Sequence, residues 1–290
     1  MRRRPPAPRR RPFRPRRLAL GAAKAAAVAL FLAWSLGPIL LILAASFTPE
    51  RDIFALPWPR LLAEPTLAHY AELWRRWPGF PPALLNSLAV TLGATALALA
   101  ASLPAGWAYS RARGRWLEGS ALWLLGVRLV PPIVLTLPLF PAANALGLAD
   151  TRLWLVLLYA AFFVSLGAYV MRAFVDRIPR ELDEAAAVDG AGPLRTLVRV
   201  IAPLAAPGLL ALGVFVAVFA WNEFLFAFVF SSVRAKTAPM VLSEIAGDFD
   251  GLSWGVLFAA TCAQLAPVLL GVVLMQRHLV AGLTAGATKG

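Results

Sequence analysis

One cysteine and two histidines in 290 residues leave little material for metal or redox chemistry. The cysteine, Cys262, lies in an apolar stretch, so no intrachain disulfide and no thiolate cluster can form. His69 and His278 are too far apart in the chain for a zinc-binding helix motif. No GxxxxGK[ST] phosphate loop occurs, which argues against ATP hydrolysis by this chain. HExxH and GxSxG are missing as well, so a membrane metalloprotease or serine hydrolase has no support. Acids are scarce, at 15 against 28 Lys and Arg, and no regular series of carboxylates inside apolar segments suggests a proton-driven pump. The sequence therefore offers no catalytic residue, no metal ligand set and no cofactor-binding element.

What it has in abundance is apolar length. The composition is 60 % hydrophobic and the mean hydropathy is +0.70. A segment of about 20 nearly uncharged residues is needed to cross a hydrocarbon core of about 30 Å. Six stretches qualify: 25–46, 86–109, 117–141, 153–173, 205–230 and 255–276. A soluble helical bundle would need polar stripes that these stretches lack. The expectation is an all-α polytopic membrane protein with six transmembrane helices.

The formal charge of +13 is concentrated rather than spread. Residues 1–24 hold Arg2, Arg3, Arg4, Arg9, Arg10, Arg11, Arg14, Arg16, Arg17 and Lys24, with Pro5, Pro6, Pro8, Pro12 and Pro15 among them. Such a segment reads as a disordered basic tail, an orientation signal that also meets anionic membrane lipids. No recognition element follows it, so nucleic acid is not an expected partner. With this tail inside, segments 1–24, 110–116, 172–203 and 277–290 carry 20 of the 28 Lys and Arg, and the outer loops carry 7. The positive-inside bias places both termini in the cytoplasm. The first apolar run, 25–46, is longer than a signal-peptide core and is expected to remain as an anchor.

Between the spans, the longest outer loop covers 47–84 and carries Trp58, Trp74 and Trp77 beside Arg75 and Arg76. These rings suit the membrane interface, or the docking of an external partner. A membrane-embedded core follows over 85–276, and 277–290 forms a glycine-rich cytoplasmic tail. Pro131, Pro132, Pro138 and Pro141 should break the third span, with Arg128 one turn ahead of the break. An arginine at that depth either faces a bundle interior or snorkels to an interface. In the fifth span, Trp221-Asn222-Glu223 places an ionisable group among apolar residues, which marks a functional position by default.

The polar stretch 174–204 is a cytoplasmic loop with its own architecture. Pro179 introduces a helix whose first turns hold Glu181, Asp183 and Glu184 at the end where acids are favoured. Gly190 should stop it, Pro193 should start a second helix and Pro203 should close that one. Leu194, Leu197, Val198 and Ile201 are expected on one side of the second helix, with Arg195 and Arg199 opposite. The alternative is an amphipathic helix lying flat on the bilayer.

Glu184-Ala185-Ala186, Asp189, Gly190 and Pro203, with Arg172, Ile178-Pro179 and Glu181 around them, resemble the "EAA" loop of permease subunits in bacterial ABC importers. The family pattern often puts Leu before the proline, where this chain has Ala202. Trp221-Asn222-Glu223-Phe224 and the ending from Gly282 to Gly290 resemble the carbohydrate branch, on the side of the second membrane subunit of maltose permeases. The likeness covers residues 80–290 and extends to the first span, but not to the arginine-rich tail.

The resemblance implies a MetI-like ABC permease fold in the bacterial plasma (inner) membrane. It implies a heterodimer with a second permease subunit, a separate ATP-binding cassette ATPase dimer and an extracytoplasmic solute-binding protein. Glu184, Ala185, Ala186, Asp189, Gly190 and Pro203 would couple to the ATPase, and the C-terminal tail would reach toward it. Asn222, Glu223 and Arg128 would line the pathway or the interface between membrane subunits. The solute would be a sugar or sugar derivative, with glycerol phosphate, a polyamine or a peptide as alternatives. A membrane enzyme or scaffold is the reading from a different class.

Overall fold

A computed structural model of the chain describes residues 15–55, 60–112, 114–248 and 251–287. Among them there are helices and no strands. The first helix, α1, runs Pro15–Ser46. It begins inside the stretch read above as tail, because proline is tolerated in a first turn and Arg, Leu and Ala continue it well. The rest of the basic tail, residues 1–14, lies outside the described residues. Residues 21–36 of α1 are exposed throughout, and the helix leans mainly on the last one. In water that surface would be costly; in a bilayer it faces lipid, which is as apolar as Leu itself.

Four helices can cross a membrane unbroken: Gly21–Ser46 of α1, α4 (Phe80–Arg111), α7 (Arg152–Val175) and Trp254–Val273 of the last helix. Before α4 come the short outer helices α2 (Glu50–Ile53) and α3 (Ala68–Arg76). The expected third span is two pieces, α5 (Arg115–Leu129) and α6 (Pro132–Ala145), meeting at 100°. The break falls at Val130–Pro131, where proline removes a donor and forces its predecessor out of the helical region.

After α7 the inner loop forms α8 (Glu181–Val188), α9 (Pro193–Thr196), a π-helical turn at Leu197–Ile201 and α10 (Ala202–Leu204). A bend of 80° at Ala205 then sends the chain into α11 (Ala206–Trp221). The expected fifth span does not run unbroken over 205–230: α11 ends at Trp221, and α12 (Leu225–Phe230) starts after a gap. An outer helix, α13 (Ala238–Ala246), precedes α14 (Trp254–Ala287). Gly282 and Gly286 would not hold a helix alone, and here they extend one already nucleated by the last span. Counting each bent path once, the described residues hold six stretches apolar enough to cross a membrane.

The central contact is α4 on α7. A Cβ on Gly106 would lie 2.5 Å from the Met171 Cβ, and one on Gly167 would lie 2.0 Å from the Ser102 Oγ. Only glycine lets the two backbones come this close, and dense packing of this kind holds membrane helices together. Val90, Ala98, Leu155, Met171, Leu212 and Val216 fill the core between α4, α7 and α11. A second apolar cluster caps the outer side, where Leu73, Phe80, Val241, Ile245 and Val256 join α3, α4, α13 and α14. There the Glu50 carboxylate accepts from the backbone N–H groups of Trp254 (2.8 Å) and Gly255 (2.9 Å), capping α14.

Candidate functional site

The inner loop is fastened to the inner end of α4. Asp183, in the first turn of α8, accepts from the Trp107 indole at 2.8 Å and from the Arg111 Nε at 2.9 Å. Arg111 also donates to the Ile178 carbonyl at 2.9 Å, just before α8 begins. Arg180 returns the contact, donating to the Ser110 carbonyl at 2.9 Å, and the Ser110 hydroxyl donates to Asp176. The Arg111 and Asp183 side chains are only 15 % and 19 % exposed, so water screens the pair weakly. Hydrogen bonds to charged groups in such settings contribute about 1.5–3 kcal/mol.

With Asp183 turned inward, Glu184, Ala185 and Asp189 face outward and Ala186 is buried. The helix ends in a paired turn: Gly190 N–H bonds the Ala187 carbonyl and Ala191 N–H bonds the Ala186 carbonyl. Gly190 has φ +77°, a conformation that costs an L side chain. Pro193 opens the second helix as expected. Pro203 does not close it. The π turn passes its hydrogen bonds from Ala202 N–H back to Leu197, which lets the helical path absorb a residue without a donor, and the break comes at Ala205.

The apolar residues of this segment also divide differently from the sequence reading. Leu197 and Ile201 are buried, whereas Leu194 and Val198, on the adjacent row, are exposed. Val188 at the end of α8 is 88 % exposed. Glu184, Ala185, Asp189 and Gly190 therefore share the water-facing surface with Val188, Leu194 and Val198, while Pro203 sits further along, next to the bend.

A second constellation lies deep in the membrane. At 1.5 Å per helical residue, Arg128 is about 20 Å from the inner start of α5. Its guanidinium lies over the Phe162 ring, 4.9 Å from the centroid, an arrangement that offsets part of the cost of burying charge. Phe162 meets Phe226 edge-on at 6.2 Å, and Phe226 packs beside Tyr159. At the break between α11 and α12, Glu223 accepts from Phe226 N–H (2.9 Å) and Ala227 N–H (3.3 Å). Asn222 donates to the Val218 carbonyl at 2.8 Å and Trp221 to the Gln264 carbonyl at 3.2 Å.

Trp221-Asn222-Glu223 thus occupies a gap in the span, and its polar groups replace hydrogen bonds the helix has lost. Glu223 is satisfied by backbone donors and Arg128 by an aromatic face, so the two do not pair, yet both border the Phe162–Phe226 contact. At the end of the gap, Phe224 stacks on Phe228 of α12 at 5.3 Å, and both are exposed.

A third group escaped the sequence reading. Asp150, in the turn before α7 with φ +54°, accepts from the backbone N–H groups of Ser232, Val233, Arg234 and Ala235 at 3.0–3.3 Å. Partial burial alone would raise its pKa, but the four donors outweigh that and bring it to about 2. Asn86 donates to the Arg234 and Lys236 carbonyls and accepts from Arg152, and Ser87 accepts from Ala238 N–H. The outer segment 231–238 is thereby strapped to α4 and α7. Trp107 and Arg111 were equally unassigned as partners of Asp183, which the sequence places only among the acids of a helix start. Their sole sequence signal was charge and indole at the inner ends of spans.

Residues 82–284 match the family described as "Binding-protein-dependent transport system inner membrane component". The trehalose/maltose transport system permease protein MalG of Thermococcus litoralis is 31 % identical over 94 % of this chain and 96 % of its own length. The trehalose transport system permease protein SugB of Mycobacterium tuberculosis is 34 % identical over 90 % of this chain and 95 % of its own. The sulfoquinovosyl glycerol transport system permease protein SmoH of Agrobacterium fabrum is 32 % identical over 91 % and 92 %. In three dimensions the chain resembles a chain of a bacterial ABC transporter involved in the import of the acidic polysaccharide alginate. The TM-score is 0.73 at 22 % identity, covering 92 % of this chain and 99 % of that one. That likeness establishes a shared fold.

Proposed function

The chain belongs to the binding-protein-dependent transport system inner membrane components, and on that premise we propose that it is the permease subunit of an ATP-driven importer for a sugar or sugar derivative. The sugar class is supported by the relatives named for trehalose, maltose and sulfoquinovosyl glycerol transport. A second permease would complete the pathway, an ATPase dimer would dock from the cytoplasm, and a solute-binding protein would deliver cargo outside.

The observation that carries the motor-docking part is the inner loop: Val188 and Glu184 exposed on α8, which is bolted to α4, with Leu194 and Val198 exposed on the segment that follows. A motor can bias the permease only through contacts that differ between its two states. Here a displacement of α8 passes through Asp183 and Arg111 into α4, and through the close α4–α7 packing into the span that carries Phe162. The bend at Ala205 links the same loop to α11 and so to the gap at Asn222–Phe224. Arg128, Asn222 and Glu223 then stand where two broken spans meet, a position suited to a pathway wall or a subunit interface.

The test is purification of the chain in mild detergent with identification of co-purifying proteins. A second permease and an ATPase are expected, and the ATPase should be lost when Val188, Leu194 and Val198 are all changed to Ser. Retention of the ATPase by that triple variant would remove the loop from the docking role. Uptake by Glu184→Gln and Gly190→Ala complexes should fall, and uptake assays with glycerol phosphate, polyamines and peptides would identify a different solute.

A further inference from the structure

On the outer side, a cavity of about 580 Å³ lies between α3, α12 and α13, lined by Trp77, Phe228, Met240, Ser243, Glu244 and Asp248. We propose that it is a transit site for a neutral saccharide on its way to the gap in the fifth span. The inference rests on the sugar reading above and adds a place and a chemistry to it.

Size is the first argument, since small-molecule sites occupy about 300–1,000 Å³. The lining is the second. Trp77 and the 59 % exposed Phe228 offer aromatic faces, which suit the C–H face of a sugar ring. Ser243, Glu244 and Asp248 offer oxygens for its hydroxyl groups. Glu244 lies in the last turn of α13 and Asp248 just past its end, and both line the cavity. A carboxylate has about four acceptor positions, so Glu244 can hold its cation and still accept a hydroxyl.

The electrostatics narrow the ligand further. Glu244 is ion-paired with Lys236 at 2.6 Å, and Asp248 with Arg76 at 2.6 Å. A cationic solute would have to compete with these partners. An anionic solute, or a lipid phosphate, would meet two carboxylates and, among the described lining residues, no cation. A neutral polyhydroxylated ligand disturbs neither pair.

Rigidity and placement complete the case. Trp77 N–H bonds the Leu73 carbonyl at 3.0 Å and its ring packs on the outer apolar cluster, while the Arg76–Asp248 pair ties the end of α3 to the end of α13. Phe228 belongs to α12, the short helix capped by Glu223, and stacks on Phe224 at the rim of the gap. A ligand in the cavity would therefore touch the outer half of the broken span directly.

The experiment uses the assembled importer in nanodiscs, without binding protein or nucleotide, and saturation-transfer NMR with trehalose and maltose as probes. Transfer to at least one sugar is expected. Trp77→Ala should weaken binding about tenfold, the scale for losing an aromatic anchor. Trp77→Phe should keep most of the signal, and Glu244→Gln together with Asp248→Asn should lower it. Glu184→Gln, on the other side of the membrane, should leave it unchanged. Uptake of the same sugars by the complex with its binding protein is measured in parallel. If a sugar is imported but shows no transfer, or its transfer is unaffected by Trp77→Ala, the cavity is not the site. If neither sugar is imported while glycerol phosphate, a polyamine or a peptide is, the sugar reading itself fails and the site falls with it. Should Trp77→Ala fail to assemble, the Phe and the carboxamide variants decide.

Discussion

Two aspartates hold the two ends of this permease, and they do it in different ways. Asp183 on the inner side is held by the side chains of Trp107 and Arg111. Asp150 on the outer side is held by four successive backbone N–H groups. The inner contact depends on the identity of three residues and can be broken from any of them. The outer contact depends on one carboxylate and on the path of the chain opposite, whatever side chains that path carries. A side-chain clasp suits a joint that must pass displacement between particular elements, and a backbone clasp suits a strap that keeps a loop in place.

The largest effect should follow from breaking the inner clasp. Arg111→Ala leaves Asp183 partly shielded with one neutral donor, a loss of about 1.5–3 kcal/mol. Uptake per assembled complex should fall by about tenfold or more. The exchange Asp183→Arg with Arg111→Asp should recover part of it; equal loss in single and exchanged variants would show that the pair does not act as a joint.

The outer clasp should respond next. Asp150→Ala removes the acceptor of four amides and should cost about 2 kcal/mol. This should appear as a lower thermal transition of the purified complex, with uptake at permissive temperature little changed. A matching loss of uptake would mean that the strap takes part in transport.

Acid sharpens the same contrast. Because Asp150 titrates at about 2 in the folded protein, below the ordinary aspartate value of about 4, its stabilisation is complete above about pH 4 and is lost as the pH falls toward 2. Thermal transitions between those limits should fall in the native chain and fall less in Asp150→Asn. Parallel curves would place the acid sensitivity elsewhere.

The smallest effect separates two arginines. Arg234 reaches Asp150 only at 4.0 Å with a side chain 81 % exposed, so Arg234→Ala should change stability by less than about 0.5 kcal/mol. Thermal shifts of Arg111→Ala and Arg234→Ala in one series test this directly. A large effect at Arg234 would mean that the outer clasp is an ion pair after all.

Much of the inner loop was legible because its devices are local. Acids at a helix start, Gly190 at its end and Pro193 at the next start act within a few residues. Pro203 misled because a π turn, a tertiary accommodation, carried the helix past it. Glu223 stands out in the sequence as an ionisable group among apolar residues, but its partners are the amides of a broken span that hydropathy reads as continuous. Asp150 left no trace, since its donors are main-chain groups more than 80 residues away, and main-chain groups look alike in every sequence.

Sequence alone determined that this chain lives in a membrane and which stretches are apolar enough to cross it, because hydropathy acts additively along the chain. Tertiary structure decided where the spans break, which apolar row of the inner loop stays exposed and which side chains fasten the loops to the spans. Those outcomes depend on contacts between segments far apart in the chain, and a one-dimensional pattern carries no information about which groups will be near enough to satisfy one another.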